Sequence, residues 1–359
     1  MNKIRVLIID DSALVRKILT EVLTSSPDIE VIGTAADPLI AREMIKQLNP
    51  DVLTLDIEMP HMDGITFLRN LMRLRPTPVI MISTLTEKGA EVTLEALSLG
   101  AVDFIFKPKV NVVKTLNDYA DEIIAKIKVA AKANVRNINY RPVKSKADDI
   151  VPKTALSPKS LSTDNANTII ALGASTGGTE AIKVVAKGLT AETPPLFITQ
   201  HLPAAFSVSF VQHVDMVTEM KASIPTHGEI AKKGHIYLAP GDRHMLVIRE
   251  NGQYVIHLND SDPVNRHKPA VDVLFQSIAE CAGKNAIAVL LTGMGADGAI
   301  GMKQMHDMGA KTLIQDEQSS VVWGMPGAAY KLGCTDYVLP IDDIANQIQT
   351  LIKQIKHNN

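Results

Sequence analysis

The chain has only two cysteines in 359 residues, Cys281 and Cys334, and they stand in no metal-ligand spacing. They read as buried reduced thiols of a cytoplasmic protein, with no part in its chemistry. No apolar stretch approaches the ~20 residues that a membrane helix needs, so membrane insertion is not expected. Met1–Arg5 runs straight into a strand-like segment without a signal-peptide apolar region or a small-residue cleavage site, so a cytoplasmic location is expected. A net charge of −2 gives no long-range pull toward nucleic acid or anionic lipid, which counts against a DNA-reading output. No internal repeat stands out.

Present instead is a globular composition, 46% hydrophobic and 21% charged. The length suits two domains, because single cores rarely grow past ~250 to 300 residues. Up to about residue 125, short apolar runs alternate with helix-period segments. The runs are Val6–Ile9, Glu30–Gly33, Val52–Leu55, Pro78–Ile82 and Val102–Phe106. Five strands spaced by helices predict a flavodoxin-like, doubly wound parallel sheet. From about Asn134 to Asn167 the periodicity stops and Pro, Ser and Lys accumulate, a composition that cannot bury a core and reads as a flexible linker.

Strand-like runs return at Thr168–Leu172, Leu196–Thr199, His235–Ala239, Ala286–Leu291 and Lys311–Gln315. Asn251-Gly252 between two apolar runs predicts a hairpin, since both positions tolerate positive φ. The expected architecture is α/β throughout: a domain over 1–125, a helix end and linker over 126–167, and a mainly parallel, doubly wound domain with an antiparallel hairpin over 168–356.

In such sheets chemistry gathers beyond the carboxyl ends of the strands, at a switch in strand order. Asp10, Asp11, Asp56, Ser83 and Lys107 all fall there in the first half. Three carboxylates give hard oxygen ligands for Mg²⁺, which would make Asp56 a target for a phosphoryl group, with Lys107 as point charge and Ser83 as hydroxyl donor. Any one of these acids alone would read as a turn or N-cap residue; the set together does not.

In the second half, Gly173-Ala174-Ser175-Thr176-Gly177 follows a strand and precedes a helix, which suits either a nucleophile or an N-cap serine. His201, in Gln200-His201-Leu202-Pro203, ends the next strand, where it would serve as the base. Asp297, in Gly293-Met294-Gly295-Ala296-Asp297-Gly298, ends a third and would orient the imidazole. That last loop also reads G-x-G-x-x-G, with Asp316 at the distance of a ribose-binding acid, so a nicotinamide dinucleotide site is the rival. Against it, Asp297 would place a carboxylate in the cradle of an anion.

The first half resembles the receiver domain of bacterial response regulators. The carrying residues are Asp10-Asp11, Asp56 in Leu55-Asp56-Ile57-Glu58-Met59-Pro60, Met62-Asp63-Gly64, Ser83, Phe104 and Lys107-Pro108. The resemblance implies that Asp56 is the phospho-acceptor and that Ser83 and Phe104 couple its state to the surface. The second half resembles the catalytic domain of the chemotaxis protein-glutamate methylesterases. It does so through Gly173–Glu180, Gln200–Pro203, Ala239–His244, Val264–Pro269, Leu291–Gly298 and Gly324–Pro326.

This second resemblance implies a phosphorylation-regulated hydrolase with Ser175, His201 and Asp297 as triad. Its substrates would be glutamyl methyl esters on the cytoplasmic helices of chemoreceptors, and receptor glutamines deamidated by the same route. A chemotaxis histidine kinase would donate the phosphate, and hydrolysis itself would need no cofactor. The Met294 N–H, with the start of the Ser175 helix, is the oxyanion-hole candidate. Thr176 either shapes the nucleophile turn through its hydroxyl or caps it. Arg266 and His267 either grip the acidic substrate or form a solvated loop. A monomer is expected, with the unphosphorylated receiver docked over the triad.

Overall fold

The computed structural model describes residues 3–59, 62–84, 86–107, 115–135 and 168–357. Pro60 and Pro108 of the receiver motifs lie outside them, as does the expected linker beyond its first two residues.

The N-terminal half runs β1 (Ile4–Ile9), α1 (Ala13–Thr24), β2 (Ile29–Ala35), α2 (Pro38–Leu48), β3 (Val52–Asp56), α3 (Gly64–Leu74), β4 (Val79–Ser83), α4 (Glu87–Ser98), β5 (Asp103–Phe106) and α5 (Thr115–Ala130). Its strands pair in parallel in the order β2-β1-β3-β4-β5. Because β3 and β4 are buried along their whole length, they read as continuous apolar runs rather than alternating ones. Ser12, Asp37, Asp63 and Thr86 accept backbone N–H groups at the starts of α1 to α4, which fixes where each loop leaves the sheet edge.

The C-terminal half contains β6 (Ile169–Ala174), α6 (Gly178–Lys187), β7 (Leu196–Gln200), α7 (Ala204–Asp215), β8 (Lys221–Ser223), β9 (Glu229–Ile230), β10 (His235–Leu238), β11 (His244–Glu250), β12 (Gln253–Asn259) and α8 (Val271–Ala282). It continues with β13 (Ala286–Leu290), α9 (Ala299–Asp307), β14 (Lys311–Gln315), α10 (Met325–Lys331), β15 (Tyr337–Leu339) and α11 (Ile341–His357). Seven strands form a parallel sheet, β15-β14-β13-β6-β7-β10-β8, and β11-β12-β9 form a smaller antiparallel one.

The period of two along β6 divides the core. Ile170, Leu172 and Ala174 face the layer of α6, α7 and α11, while Ile169 and Ala171 face α8, α9 and the hairpin. Asn251 and Gly252 both have positive φ, 49° and 80°, which makes the turn between β11 and β12 the expected one. Strands β8, β9 and β15, of two or three residues each, are too short to show a period and were not anticipated. Among the described residues, no helix is long and apolar enough to cross a membrane.

The two halves touch through apolar packing. One cluster of buried side chains runs from Leu94, Leu97 and Phe104 into Leu202, Phe206 and Phe210. Phe104 stacks on Phe206 with ring centroids 4.8 Å apart and planes 12° from parallel, and Phe106 meets the same ring edge-on. Burying a ring as completely as Phe206 is worth about 1.5–3 kcal/mol relative to exposure.

Candidate functional site

Strand order reverses around β6, and the three residues singled out in the second half leave adjacent strands there. Ser175 follows β6, His201 follows β7 and Asp297 lies in the loop after β13. The Ser175 turn is held from three sides. Ser175 N–H donates to Thr292 O at 3.0 Å, Gln200 Nε2 donates to Ser175 O at 3.0 Å, and Thr292 Oγ1 donates to Thr176 O at 3.0 Å. Gly177 starts α6 with φ 78°, and a Cβ there would lie 2.7 Å from Val321 Cβ, so backbone freedom and space both require glycine.

The His201 ring bridges the other two groups, with Nδ1 3.1 Å from Ser175 Oγ and Nε2 2.8 Å from Asp297 Oδ2. Asp297 accepts at Oδ2, so the ring proton belongs on Nε2 and the Nδ1 lone pair faces the serine hydroxyl. Asp297 is 3% exposed and heavily hydrogen-bonded. Its Oδ2 also accepts from Val271 N–H at 2.7 Å, and its Oδ1 accepts from Asn265 Nδ2 at 2.8 Å and Asp272 N–H at 3.2 Å. Burial opposes its charge, but the hydrogen bond and charge of His201, with the Asn265 and Val271 donors, outweigh burial and hold the carboxyl at about 2.

A cavity of about 910 Å³ opens above the serine, lined by both halves of the chain. Ser175, Thr176, His201, Arg266, His267 and Met294 contribute from one side; Asp103, Phe104 and Lys126 contribute from the other. The Thr176 hydroxyl, expected to brace or cap its own turn, donates instead to Asp103 Oδ2 across the interface. Asp103 is in turn paired with the half-buried Lys126, which also pairs with Glu122 and whose Nζ donates to Phe104 O at 2.7 Å. A polar seam continues where Ser98 donates to Glu180 at 2.7 Å and Lys183 donates to Ser98 at 3.0 Å. Asn134 is tied to Val321 O and Gln318 O, so the first residue expected to be linker rests on the C-terminal half.

Arg266 is exposed, as a solvated loop residue would be, but His267 is not. It stacks on His201, and burial, then the charge of His201, lower its pKa to about 4. His267 therefore faces the ring of the candidate base, on the same segment as the exposed Arg266. Two groups escaped the sequence reading: Asn265, which links Asp297 to Asp272, and Gln200, which holds the serine turn. Both lie in segments that carry the resemblance, Gln200–Pro203 and Val264–Pro269, but neither was given a role. Asp316, the candidate ribose acid of the rival reading, instead accepts from Ser319 N–H at 2.9 Å and closes its own turn. Cys334 is buried and Cys281 partly so.

In the N-terminal half Asp10 and Asp56 are buried, Asp11 is exposed, and one oxygen of each lies within 4.8 Å of the others. Lys107 Nζ donates to Asp56 Oδ2 at 2.8 Å and lies 3.8 Å from Asp10 Oδ2. Burial, only partly offset by Lys107, raises Asp56 to about 6, and burial raises Asp10 as well. Asp10 Oδ2 has no hydrogen-bond partner among the described residues. A buried, unpartnered carboxylate oxygen beside two further carboxylates is what a small divalent cation would complete, so the residues fit such an ion. Ser83 Oγ lies 2.7 Å from Thr93 Oγ1 and 3.3 Å from Thr84 O, and the hydroxyl–hydroxyl hydrogen bond ties β4 to α4.

A family model described as CheB methylesterase matches residues 170–348, and one described as response regulator receiver domain matches residues 6–117. A Hydrogenovibrio crunogenus protein named protein-glutamate methylesterase/protein-glutamine glutaminase is 54% identical over 376 residues, 99% of this chain and 100% of that one. One of the same name, numbered 1, from Xanthomonas euvesicatoria is 53% identical over 98% of each chain. The crystal structure of the Thermotoga maritima CheB methylesterase catalytic domain matches with a TM-score of 0.51 and 34% identity, covering 52% of this chain and 98% of that one.

Proposed function

This chain belongs to the CheB methylesterase family, with a receiver domain ahead of the catalytic domain, and from that premise we propose that Ser175, His201 and Asp297 carry its hydrolytic reaction and Asp56 controls it. The enzyme is a protein-glutamate methylesterase and protein-glutamine glutaminase. Its substrates are the methylated glutamyl and the glutaminyl side chains of chemoreceptor cytoplasmic helices. The receiver takes residues 1–125, the connecting segment 126–167 and the catalytic domain 168–356. The observation that carries the reading is the His201 ring lying within hydrogen-bond reach of both Ser175 and Asp297.

The Ser175 hydroxyl attacks the side-chain carbonyl as Nδ1 of His201 takes its proton, and Nε2–H keeps its bond to the ionised Asp297, which stabilises the imidazolium. The tetrahedral oxyanion is met by the Met294 N–H and the first amides of the Ser175 helix, one such donor being worth about 2.7–4 kcal/mol. Collapse breaks the ester C–O bond, or the amide C–N bond of glutamine. His201 returns the proton, releasing methanol or ammonia, and water then attacks the glutamyl-serine ester by the reverse roles. No cofactor enters this sequence.

In the receiver, Asp10, Asp11 and Asp56 would hold Mg²⁺, which neutralises the charge an incoming phosphoryl group meets at Asp56. The phosphate comes from a chemotaxis histidine kinase. Ser83, drawn toward a phosphoryl group, leaves Thr93 of α4, and α4 carries Ser98 of the interdomain seam. With Phe104 on Phe206 and Asp103 on Thr176, the receiver obstructs the access of a receptor helix to Ser175 until α4 and β5 shift. A serine-directed acylating probe mapped by mass spectrometry tests the reading. Labelling is expected at Ser175, faster with a small phosphodonor and Mg²⁺ than without, and labelling elsewhere would refute it.

A further inference from the structure

Deepening the reading just given, and resting on it, we propose that His267 is a positioning residue of the hydrolytic site, an uncharged aromatic plate that fixes the plane of the His201 ring. The two rings lie 3.7 Å apart between centroids with planes 9° from parallel. This contact is built by the backbone rather than by a ligand. Asn265 and Arg266 adopt φ of 54° and 67°, and Val264 and His267 exchange two backbone hydrogen bonds across them, 3.0 and 2.9 Å, which folds His267 back over the site.

Both ends of that segment are closed by the buried His244, whose Nδ1 accepts from Ala270 N–H at 3.1 Å and whose Nε2 donates to Asp262 O at 3.1 Å. Asn265 Nδ2 then pins its middle to Asp272 and Asp297, each at 2.8 Å. One short segment therefore holds the carboxylate and the imidazole in register.

Neutrality matters to the role. The titratable and charged groups around the stack are His201 and Asp297, Lys126, Asp121 and Glu122 from α5, Asp103 from β5, and Arg266 and Lys268 on the same segment. Burial first, then the charges of His201 and Lys126 against that of Asp297, lower the pKa of His267 and favour its neutral form. When His201 takes the Ser175 proton it becomes a cation lying against a neutral ring face, and that attraction exists only in the charged state. A second charged imidazole at that distance would repel it. His267 thus acts through His201.

The test is methanol release by the full chain, with phosphodonor and Mg²⁺, from methylated receptor. His267→Ala is expected to lower kcat by about tenfold with KM little changed, and His267→Phe to restore most of that loss. Should His267→Ala fail to fold in a thermal melt, His267→Leu against His267→Phe decides, with Leu about tenfold lower. Wild-type kcat in the Ala or Leu variant, or a Phe variant as impaired as Ala, would overturn the proposal. Ser175→Ala run alongside separates the two failures. Its retained turnover would bring down the hydrolytic reading itself, and an unaffected His267 series beside an inactive Ser175→Ala would remove only the present inference.

Discussion

The two halves place carboxylates in the same kind of position, beyond the carboxyl edge of a parallel sheet where strand order reverses, and treat them in opposite ways. Asp297 is buried and over-supplied with donors, from His201, Val271, Asn265 and Asp272, and its carboxyl is held at about 2. Asp10 and Asp56 are as deeply buried, yet Asp10 keeps an unpartnered oxygen and Asp56 is pushed up to about 6. One site is complete as folded, which suits chemistry that needs a fixed dipole. The other is incomplete until a cation and a phosphoryl group arrive, which suits a switch. Position in the fold selects where a site is; the number of donors around a carboxylate selects what it can do.

The sharpest way to break this contrast is Asp297→Asn. The amide presents an NH₂ to donors that need an acceptor, so methanol release should fall by about a thousandfold, with the melting temperature lowered as well. Next in size, Asp56→Ala should keep basal turnover and lose all response to phosphodonor, a response of about 5- to 150-fold in the wild type. Asp103→Ala releases Thr176 and removes one of the two carboxylates paired with Lys126, leaving Glu122 at 3.1 Å. Basal turnover without phosphodonor should rise about fivefold, and no change would mean that the seam does not restrain the receiver. Smallest is Asp10→Asn, which neutralises a buried carboxylate whose Oδ2 has no hydrogen-bond partner among the described residues, only Lys107 at 3.8 Å. Thermal melts in metal-free buffer should rise by a few degrees, the reverse of Asp297→Asn.

Much of this was legible in the sequence because parallel strands are buried on both faces and end abruptly. The runs that become β1 to β7, β10, β13 and β14 announce themselves, and the acids, Ser175, His201 and Lys107 end them or follow them. Asn251-Gly252 was legible from local chemistry. What was not legible depends on contacts made late in folding. Asn265 looks like any polar loop residue until a left-handed turn aims its amide at two acids. His267 read as either a substrate grip or a solvated loop residue, and its stacking on His201 depends on a fold-back that no local pattern shows. Thr176 looked like a turn residue, and its partner Asp103 lies in the other half of the chain, joined to it only by docking that no local pattern encodes.

Hydrolysis depends most on the alcohol of Ser175 being the group that attacks. Methanol release from methylated receptor by phosphodonor-treated wild type and Ser175→Ala, measured side by side on chains with matching melting temperatures, tests this most directly. A loss of at least about a thousandfold in the variant is predicted, and turnover close to wild type would contradict the account.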